Sequence, residues 1–264
     1  PGKKNLPAAV NSMHNILLAH GLSLQAMRST GDYKIGIILN NEYPEPFNQE
    51  DQNIQAANLF DSIYNRWFSD AIFKGTYPES ALKVLKPYLP DKYHSDLKII
   101  SEPLDWIGVN YYTRSVLKYL NSSDGINYEC LRGSLKKTDM GWEFFPKGLS
   151  YFIKRIHNEY NDKIPIYVTE NGMANNDHIS LDGIIDDQER IEYFNIHIHE
   201  ILKCIKEKIL IKGYFAWSLL DNYEWAFGYK KRFGIVHVDY DTFKRTPKES
   251  YWHLTKNLES FNRR

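Results

Sequence analysis

The 264-residue chain has few cysteines, no long apolar run and no net charge. Its two cysteines, Cys130 and Cys204, show no metal-site spacing and are too few for a disulfide framework. No apolar run approaches the roughly 20 residues that span a bilayer, so no membrane association is expected. Because 33 basic residues balance 33 acidic ones, the chain offers no broad basic face for nucleic acid.

Two further absences bear on location and organisation. The first residues, Pro1–Gly2–Lys3–Lys4, lack the apolar core of a secretion signal, and cysteines outside a disulfide framework suit a reducing compartment. We therefore expect a cytoplasmic protein. No low-complexity linker divides the sequence, and its length suits one large domain, so residues 1–264 are predicted to form a single domain.

Apolar periodicity and apolar runs give the expected elements. Helical spacing predicts helices over residues 6–28, 50–74, 147–160, 187–208 and 248–260. Apolar runs predict buried strands over residues 34–41, 105–112, 166–169 and 212–218. A long irregular loop is expected over residues 115–145 and a short hairpin near residues 233–240. Strands that alternate with helices predict an α/β fold with parallel strands. Four strands are half of an eight-stranded barrel, so the pattern alone fits an open sheet or part of a barrel.

One carboxylate stands at the end of a predicted buried strand. Glu170 follows the apolar run Ile166–Thr169 and precedes Asn171–Gly172. Charged groups rarely occupy such positions unless they are paired or used. In an α/β barrel the carboxyl ends of the strands carry the catalytic groups. Glu170 is thus a candidate nucleophile or general base, and the alternative is a glutamate that caps the following turn.

Four motifs in chain order resemble glycoside hydrolase family 1, the β-glucosidase family. They are Trp106–Tyr112 (WIGVNYY), Val168–Gly172 (VTENG), Trp217–Trp225 (WSLLDNYEW) and Lys231–Ile235 (KRFGI). The resemblance runs through the whole chain and implies a (β/α)8 TIM barrel, of which the four predicted strands would be the fifth to the eighth. It also implies hydrolysis of β-glycosides with retention of configuration.

The resemblance assigns roles to individual residues. Glu170 would be the nucleophile, and Tyr112 would donate a hydrogen bond that orients it. The substrate-binding residues would be Asn110 near the scissile bond, Trp217 beneath the sugar ring, Glu224 and Trp225 at the 4- and 6-hydroxyls, and Phe233 at the far wall. Alternatives remain for three of these residues: Trp217 and Tyr112 as barrel core, and Glu224 as an ion-pair partner of Lys230 or Arg232.

The family's second carboxylate, the acid/base of an Asn-Glu-Pro motif, has no counterpart in these residues. Retaining hydrolysis needs two carboxyl groups about 5–5.5 Å apart. Two alternatives to an active hydrolase therefore stay open. The chain is either a non-catalytic protein that binds sugars, or a half-barrel that depends on a missing N-terminal half as its partner.

The expected ligand is a small β-glycoside or oligosaccharide. A carboxylate at Glu224 would repel a phosphate dianion, so the resemblance favours unphosphorylated β-D-glucosides. No cofactor and no metal are implied. His197 and His199 lie two residues apart on a predicted helix and diverge by about 200°, which prevents them from sharing one ion. Both histidines are expected to be solvated or capping.

Overall fold

The structure, a computed structural model, describes residues 2–262, with side chains described for residues 2–257. Its contacts divide the chain into two compact units. The first comprises residues 2–108, 114–133 and 155–166, and the second comprises residues 109–113, 134–154 and 167–262. The single domain predicted for residues 1–264 stays a prediction. None of the helices within residues 2–262 has the length and hydropathy of a membrane span.

The first unit is rich in helices. They are α1 (Leu6–Thr30), α2 (Asp51–Phe60), α3 (Trp67–Lys74), α4 (Glu79–Leu85) and α5 (Tyr93–Ile100). A π-helical segment, Asp61–Arg66, joins α2 to α3, so the helix predicted over residues 50–74 is nearly continuous. Asn5 caps α1 by accepting the Ala8 N–H at 2.8 Å, and Gly75 ends α3 in the left-handed region, each a favoured terminus.

The strands of the first unit are β1 (Gly36–Pro46), the two ends of β2 (Trp106–Tyr119), and β3 (Tyr128–Leu131). β3 pairs with β2 in an antiparallel register in which Leu117 faces Cys130. The irregular loop predicted over residues 115–145 is therefore wrong at its start, because β2 continues through Tyr119 and a further strand returns along it. Near Gly36 the strands approach closely, since a Cβ there would lie 2.3 Å from the Trp106 carbonyl oxygen.

Packing in the first unit centres on aromatic and aliphatic side chains between its helices. Trp67 is fully buried and stacks on Tyr77 with ring centroids 3.8 Å apart. Helices α1 and α5 meet at Gly21, where a Cβ would lie 2.1 Å from the Ile99 carbonyl oxygen. A side chain at this position would therefore push the two helices apart.

The second unit contains the elements that carry the four motifs. Its helices are α6 (Lys147–Arg155), α7 (Gln188–Lys206) and α8 (Glu249–Asn262). The last residue of α6, Arg155, belongs to the first unit. Its strands are the middle of β2, then β4 (Ile166–Asn171), β5 (Ile211–Ala216), β6 (Val236–Val238) and β7 (Arg245–Pro247). β4 lies between β2 and β5. Each neighbour is reached through intervening helices, the connection that parallel strands require.

The predicted hairpin exists but is longer than expected, because β6 pairs with β7 in antiparallel register across residues 239–244. The core of the second unit includes Met173, Tyr193 and Phe194, which lie beneath the end of β4 and are fully buried. The four strands predicted from apolar runs are thus confirmed as β1, β2, β4 and β5, and the long predicted helices are confirmed with shifted ends.

Candidate active site

Glu170 and Tyr112 meet in the second unit. Glu170 lies at the end of β4, half-buried, and the Tyr112 hydroxyl on neighbouring β2 donates to its Oε2 at 2.6 Å. Burial raises the pKa of the Tyr112 hydroxyl far above its usual range, and the hydrogen bond to Glu170 raises it further. The phenol therefore stays protonated and acts as a donor. A charge-assisted bond of this length is among the stronger hydrogen bonds in proteins.

Asn110 lies two residues before Tyr112 on β2. Its Oδ1 accepts the Thr169 hydroxyl at 2.7 Å, so Asn110 is tied to the residue that precedes Glu170. Tyr111, between them in sequence, is fully buried and donates its hydroxyl to the Phe145 carbonyl. Alternation along the strand thus places Tyr112 and Tyr111 on opposite faces.

Two aromatic rings lie beside the ring of Tyr112. The Tyr112 ring lies 5.2 Å from Trp142 and 6.2 Å from Phe233, and the Trp142 and Phe233 rings are 6.1 Å apart. Phe233 is almost completely buried, which fits a wall rather than a mobile contact. Trp142 escaped the sequence analysis because it lies in the stretch predicted to be irregular, where no periodic pattern marks its direction.

Trp217 follows β5, and the end of that strand approaches the end of β4. The Trp217 backbone N–H donates to the Asn171 carbonyl at 2.9 Å, and the Trp217–Ser218 peptide bond is cis. A Cβ at Gly172 would lie 1.9 Å from the Trp217 carbonyl oxygen. Only glycine fits this contact, which joins the turn after Glu170 to the residue expected beneath the sugar.

Glu224 and Trp225 lie on the loop between β5 and β6. Burial raises the pKa of Glu224, and the nearby negative charge of Glu170 raises it further, so the two carboxylates are close enough to interact. Trp225 is 81% exposed, unlike the nearly buried Phe233. The structure therefore groups Glu224 with Glu170 and Tyr112, whereas the Trp225 side chain extends into solvent.

A buried charge cluster anchors this loop through Asp221. The Asp221 carboxylate accepts the backbone N–H groups of Gly234 and Val238, at 3.0 and 3.3 Å. Its cationic partners are Arg232 at 2.6 Å and Lys248 at 2.8 Å. The alternative in which Arg232 pairs with Glu224 is thus not what the structure shows, because the Arg232 guanidinium lies on Asp221.

The same cluster continues away from the loop. Lys248 also binds Asp177 at 2.5 Å, and Asp177 binds Arg190 at 2.8 Å. Arg190 in turn pairs with Asp187, and the side chains of these four residues are fully buried. Arg190 and Lys248 hold the pKa of Asp177 below its usual range against the effect of burial. We call Asp221, Arg232, Lys248, Asp177, Arg190 and Asp187 the ionic cluster.

His197 and His199 on α7 differ in environment. His199 is exposed, as expected, but the expectation of a solvated side chain is wrong for His197, which is fully buried. Its Nδ1 lies 2.8 Å from the Tyr193 carbonyl and its Nε2 has no hydrogen-bond partner. Burial lowers the pKa of His197 to about 4. Among the described side chains, those of residues 2–257, no group of three or more potential metal ligands is found.

A cavity of about 900 Å³ lies elsewhere in the second unit, between α7, β5 and α8. Its walls are mainly aliphatic, and the described residues that line it include no Asp or Glu. The cavity therefore holds no carboxylate that could act as a nucleophile or general base in the way expected of Glu170. The groups suited to such chemistry are those around Glu170.

Comparison with known proteins identifies the family of the chain. The sequence profile described as glycosyl hydrolase family 1 matches residues 1–261, and the chain belongs to that family. It is 42% identical over 257 residues to a 1,4-beta-D-glucan glucohydrolase of Thermotoga neapolitana. It is also 37% identical, over an alignment 281 residues long, to a 6-phospho-beta-galactosidase of Clostridium acetobutylicum. These matches cover 96% and 95% of the chain, and 57% and 59% of the relatives.

A solved structure shows the same relation. The family 1 β-glucosidase from Thermotoga maritima in complex with isofagomine lactam matches at a TM-score of 0.90 and 42% identity. The match covers 96% of this chain and 57% of that one. The chain thus spans a little over half the length of the relatives it matches.

Proposed function

We propose that this chain carries the nucleophile of a retaining β-glucosidase and supplies strands five to eight of a (β/α)8 barrel. The observation that supports this most directly is the 2.6 Å hydrogen bond from Tyr112 to Glu170 at the carboxyl end of β4. It leaves a carboxylate with one oxygen oriented by a donor, Tyr112, whose ring packs beside Trp142 and Phe233. That arrangement suits attack on a sugar carbon.

The proposed reaction has two displacements. A Glu170 oxygen forms a bond to the anomeric carbon as the bond from that carbon to the aglycone oxygen breaks, which gives a covalent glycosyl-enzyme. The departing oxygen takes a proton from an acid/base carboxyl that is not among these residues. Water then gives a proton to that acid/base carboxylate and attacks the same carbon, which breaks the bond to Glu170 and restores the starting configuration. Tyr112 keeps the carboxylate oriented throughout.

Substrate contacts are proposed for the residues that surround this pair. Asn110 would line the pocket near the scissile bond, Trp217 would lie beneath the ring, and Phe233 would close the wall. Glu224 and Trp225 would bind the outer hydroxyls. The exposure of Trp225 leaves its ring free to contact a sugar.

We further propose that the substrate is an unphosphorylated β-D-glucoside. Glu224 supports this, because a carboxylate repels a phosphate dianion at short range. One relative is named as a 6-phospho-beta-galactosidase, so a phosphorylated substrate is the alternative to test. A comparison of aryl β-glucoside with aryl 6-phospho-β-glucoside tests it. Turnover or burst release from the phosphorylated compound alone would overturn the assignment.

The central test is covalent trapping with 2,4-dinitrophenyl 2-deoxy-2-fluoro-β-D-glucoside. Its leaving group departs without protonation, so the test does not need the acid/base residue. We expect one equivalent of dinitrophenol, a mass increase of one fluoroglucosyl group, and its location on the peptide that contains Glu170. Glu170→Gln is the control and should remain unlabelled. Labelling at another carboxylate would refute the role of Glu170.

A second candidate function follows from the length of the match, since the chain covers 57% of the glucan glucohydrolase relative. The residues would then bind sugars and become catalytic only with the complementary part of the barrel. Binding of isofagomine lactam without labelling would favour this alternative. Labelling that appears only after the complementary segment is added would show dependence on that partner.

A further inference from the structure

The backbone of Tyr112 is held from both sides by side-chain donors. Asn171 Nδ2 donates to the carbonyl of Tyr111 at 2.8 Å, and the Tyr193 hydroxyl donates to the carbonyl of Tyr112 at 2.7 Å. These two carbonyls flank the residue whose hydroxyl is bonded to Glu170. Side-chain donors therefore fix the strand at the one point from which Tyr112 reaches the carboxylate.

Asn171 is the residue next to Glu170, and it lies on the opposite face of β4. It is fully buried, and its Nδ2 also lies 3.3 Å from the Tyr193 hydroxyl. Its Oδ1 accepts the Tyr214 hydroxyl from β5 at 3.0 Å. One amide thus connects three adjacent strands immediately behind the candidate nucleophile.

Tyr193 reaches this point from α7. Its ring is fully buried and stacks on His197 with centroids 3.9 Å apart, which fixes the direction of the hydroxyl. Burial raises the pKa of the Tyr193 hydroxyl well above its usual range, so this hydroxyl is a permanent donor. The helix is thereby coupled to the position of Tyr112.

We propose that Asn171 and Tyr193 are positioning residues that set the hydrogen bond from Tyr112 to Glu170 through the backbone of Tyr112. The inference rests on the proposed function, in which that bond orients the nucleophile. Hydrogen bonds weaken steeply with distance and angle, so a small displacement of β2 would reduce the donation. Neither residue touches the reacting atoms. We call Asn171, Tyr193, Tyr214 and the backbone of Tyr111 and Tyr112 the neutral network.

The test compares Tyr193→Phe with the matched control Tyr214→Phe. Each variant removes one buried hydroxyl that contacts Asn171, but only Tyr193 also bonds the Tyr112 carbonyl. We expect Tyr193→Phe to slow fluoroglucosyl labelling about tenfold, because a displaced Tyr112 donates less well to Glu170 and leaves the carboxylate poorly oriented. Tyr214→Phe should change the labelling rate by less than about twofold. Both variants should lower the thermal midpoint by a similar amount.

A double variant separates positioning from a general loss of stability. Tyr112→Phe removes the donor itself, so adding Tyr193→Phe should slow labelling no further. Losses that multiply in the double variant would overturn the proposal, as would equal losses in Tyr193→Phe and Tyr214→Phe.

A readout without catalysis distinguishes the failure of this inference from the failure of the proposed function. The ¹³Cζ resonance of Tyr112 reports the hydrogen bond of its hydroxyl and is assigned by its absence in Tyr112→Phe. We expect this resonance to move in Tyr193→Phe and to stay in place in Tyr214→Phe. If the wild-type chain is not labelled yet the resonance moves, the chain by itself does not carry out the proposed reaction, and the positioning role stands. An unmoved resonance in Tyr193→Phe refutes the positioning role.

Discussion

The neutral network behind Glu170 and the ionic cluster behind the Glu224 loop hold neighbouring parts of one unit by different chemistry. The first uses an amide, two phenols and backbone carbonyls, and the second uses three carboxylates and three cations. Both are buried. The side chains directly behind the candidate nucleophile are thus uncharged, whereas those that anchor the loop of Glu224 are ionised.

The difference has an electrostatic consequence. Charges interact strongly across a low-dielectric interior, so an ionised side chain directly behind Glu170 would act on its carboxylate. Uncharged donors fix geometry without adding a net charge at that place. At the loop, a cluster whose charges balance supplies several bonds to backbone and side chains at once. The two regions should therefore respond differently to substitution and to pH.

The largest effect is expected from Lys248→Met. This change removes the cation between Asp177 and Asp221 and leaves an uncompensated negative charge in the cluster. Breaking a buried ion pair from one side typically costs about 3–5 kcal/mol. We expect the free energy of unfolding, measured by urea titration, to fall by about that amount. A hydroxyl lost from the neutral network, as in Tyr193→Phe, should cost about 1–3 kcal/mol.

Lys203→Met is the control for the loss of a lysine. Lys203 pairs with Glu200 at 2.6 Å on α7, but its side chain is half exposed. A surface pair contributes about 0.5 kcal/mol or less, so this variant should unfold almost as the wild type does. If Lys248→Met lowered the free energy of unfolding as little as Lys203→Met does, the ionic cluster would not stabilise the loop as its burial indicates.

A smaller effect concerns pH and the neutral network, where His197 packs on Tyr193. Its pKa is about 4 in the folded protein, against 6.5 as the reference value. The unfolded chain therefore binds more protons between these values, so stability rises with pH across this window and falls on acidification. The free energy of unfolding at pH 5 should be about 2 kcal/mol below that at pH 7 from this group alone.

Two leucine variants on one helix isolate that contribution. His197→Leu should remove this part of the pH dependence between pH 7 and 5, whereas His199→Leu, at an exposed position, should keep it. Urea titrations of the wild type and both variants at the two pH values give the change in the free energy of unfolding with pH for each protein. Equal pH dependence in His197→Leu and the wild type would show that the imidazole is protonated inside the folded protein.

The smallest effect is expected at Glu224, which lies on the loop that the ionic cluster anchors and is affected by the charge of Glu170. Its pKa is raised by burial and then by the charge of Glu170, so protonation on acidification should weaken the binding of isofagomine lactam. Glu170→Gln removes that charge and should move the acid limb of the binding curve to lower pH. Isothermal titration across the acid range measures the limb. A limb at the same pH in both proteins would show that the carboxylates do not interact.

Much of the fold was predictable because the strands are short apolar runs and the long helices have clear periodicity. Helices α4 and α5 were not predicted, since they have only seven and eight residues, too few turns for a period to emerge beside nearby prolines. The far end of β2 and its partner β3 mix polar and apolar residues without a clear period over a few residues each, so the sequence predicted an irregular loop there.

The candidate site likewise contains some residues that the sequence predicted and others that only the structure reveals. Glu170 and Tyr112 lie in motifs, so the sequence pointed to both of them, and the structure shows the hydrogen bond between them. Trp142 and Tyr193 lie in no motif that named them, and their importance arises from contacts between distant segments. Asn171 lies inside a motif, yet only its three partners reveal what its amide contacts.

The glycine after Glu170 has a bearing on how the specificity of this protein can change. Because no side chain fits between Gly172 and the Trp217 carbonyl, the spacing between the two strand ends cannot be adjusted by mutation at that point. A laboratory that wishes to admit a larger or different sugar should diversify the exposed residues that follow Asp221 in the loop of Glu224, such as Tyr223, Trp225 and Phe227, and leave this contact intact.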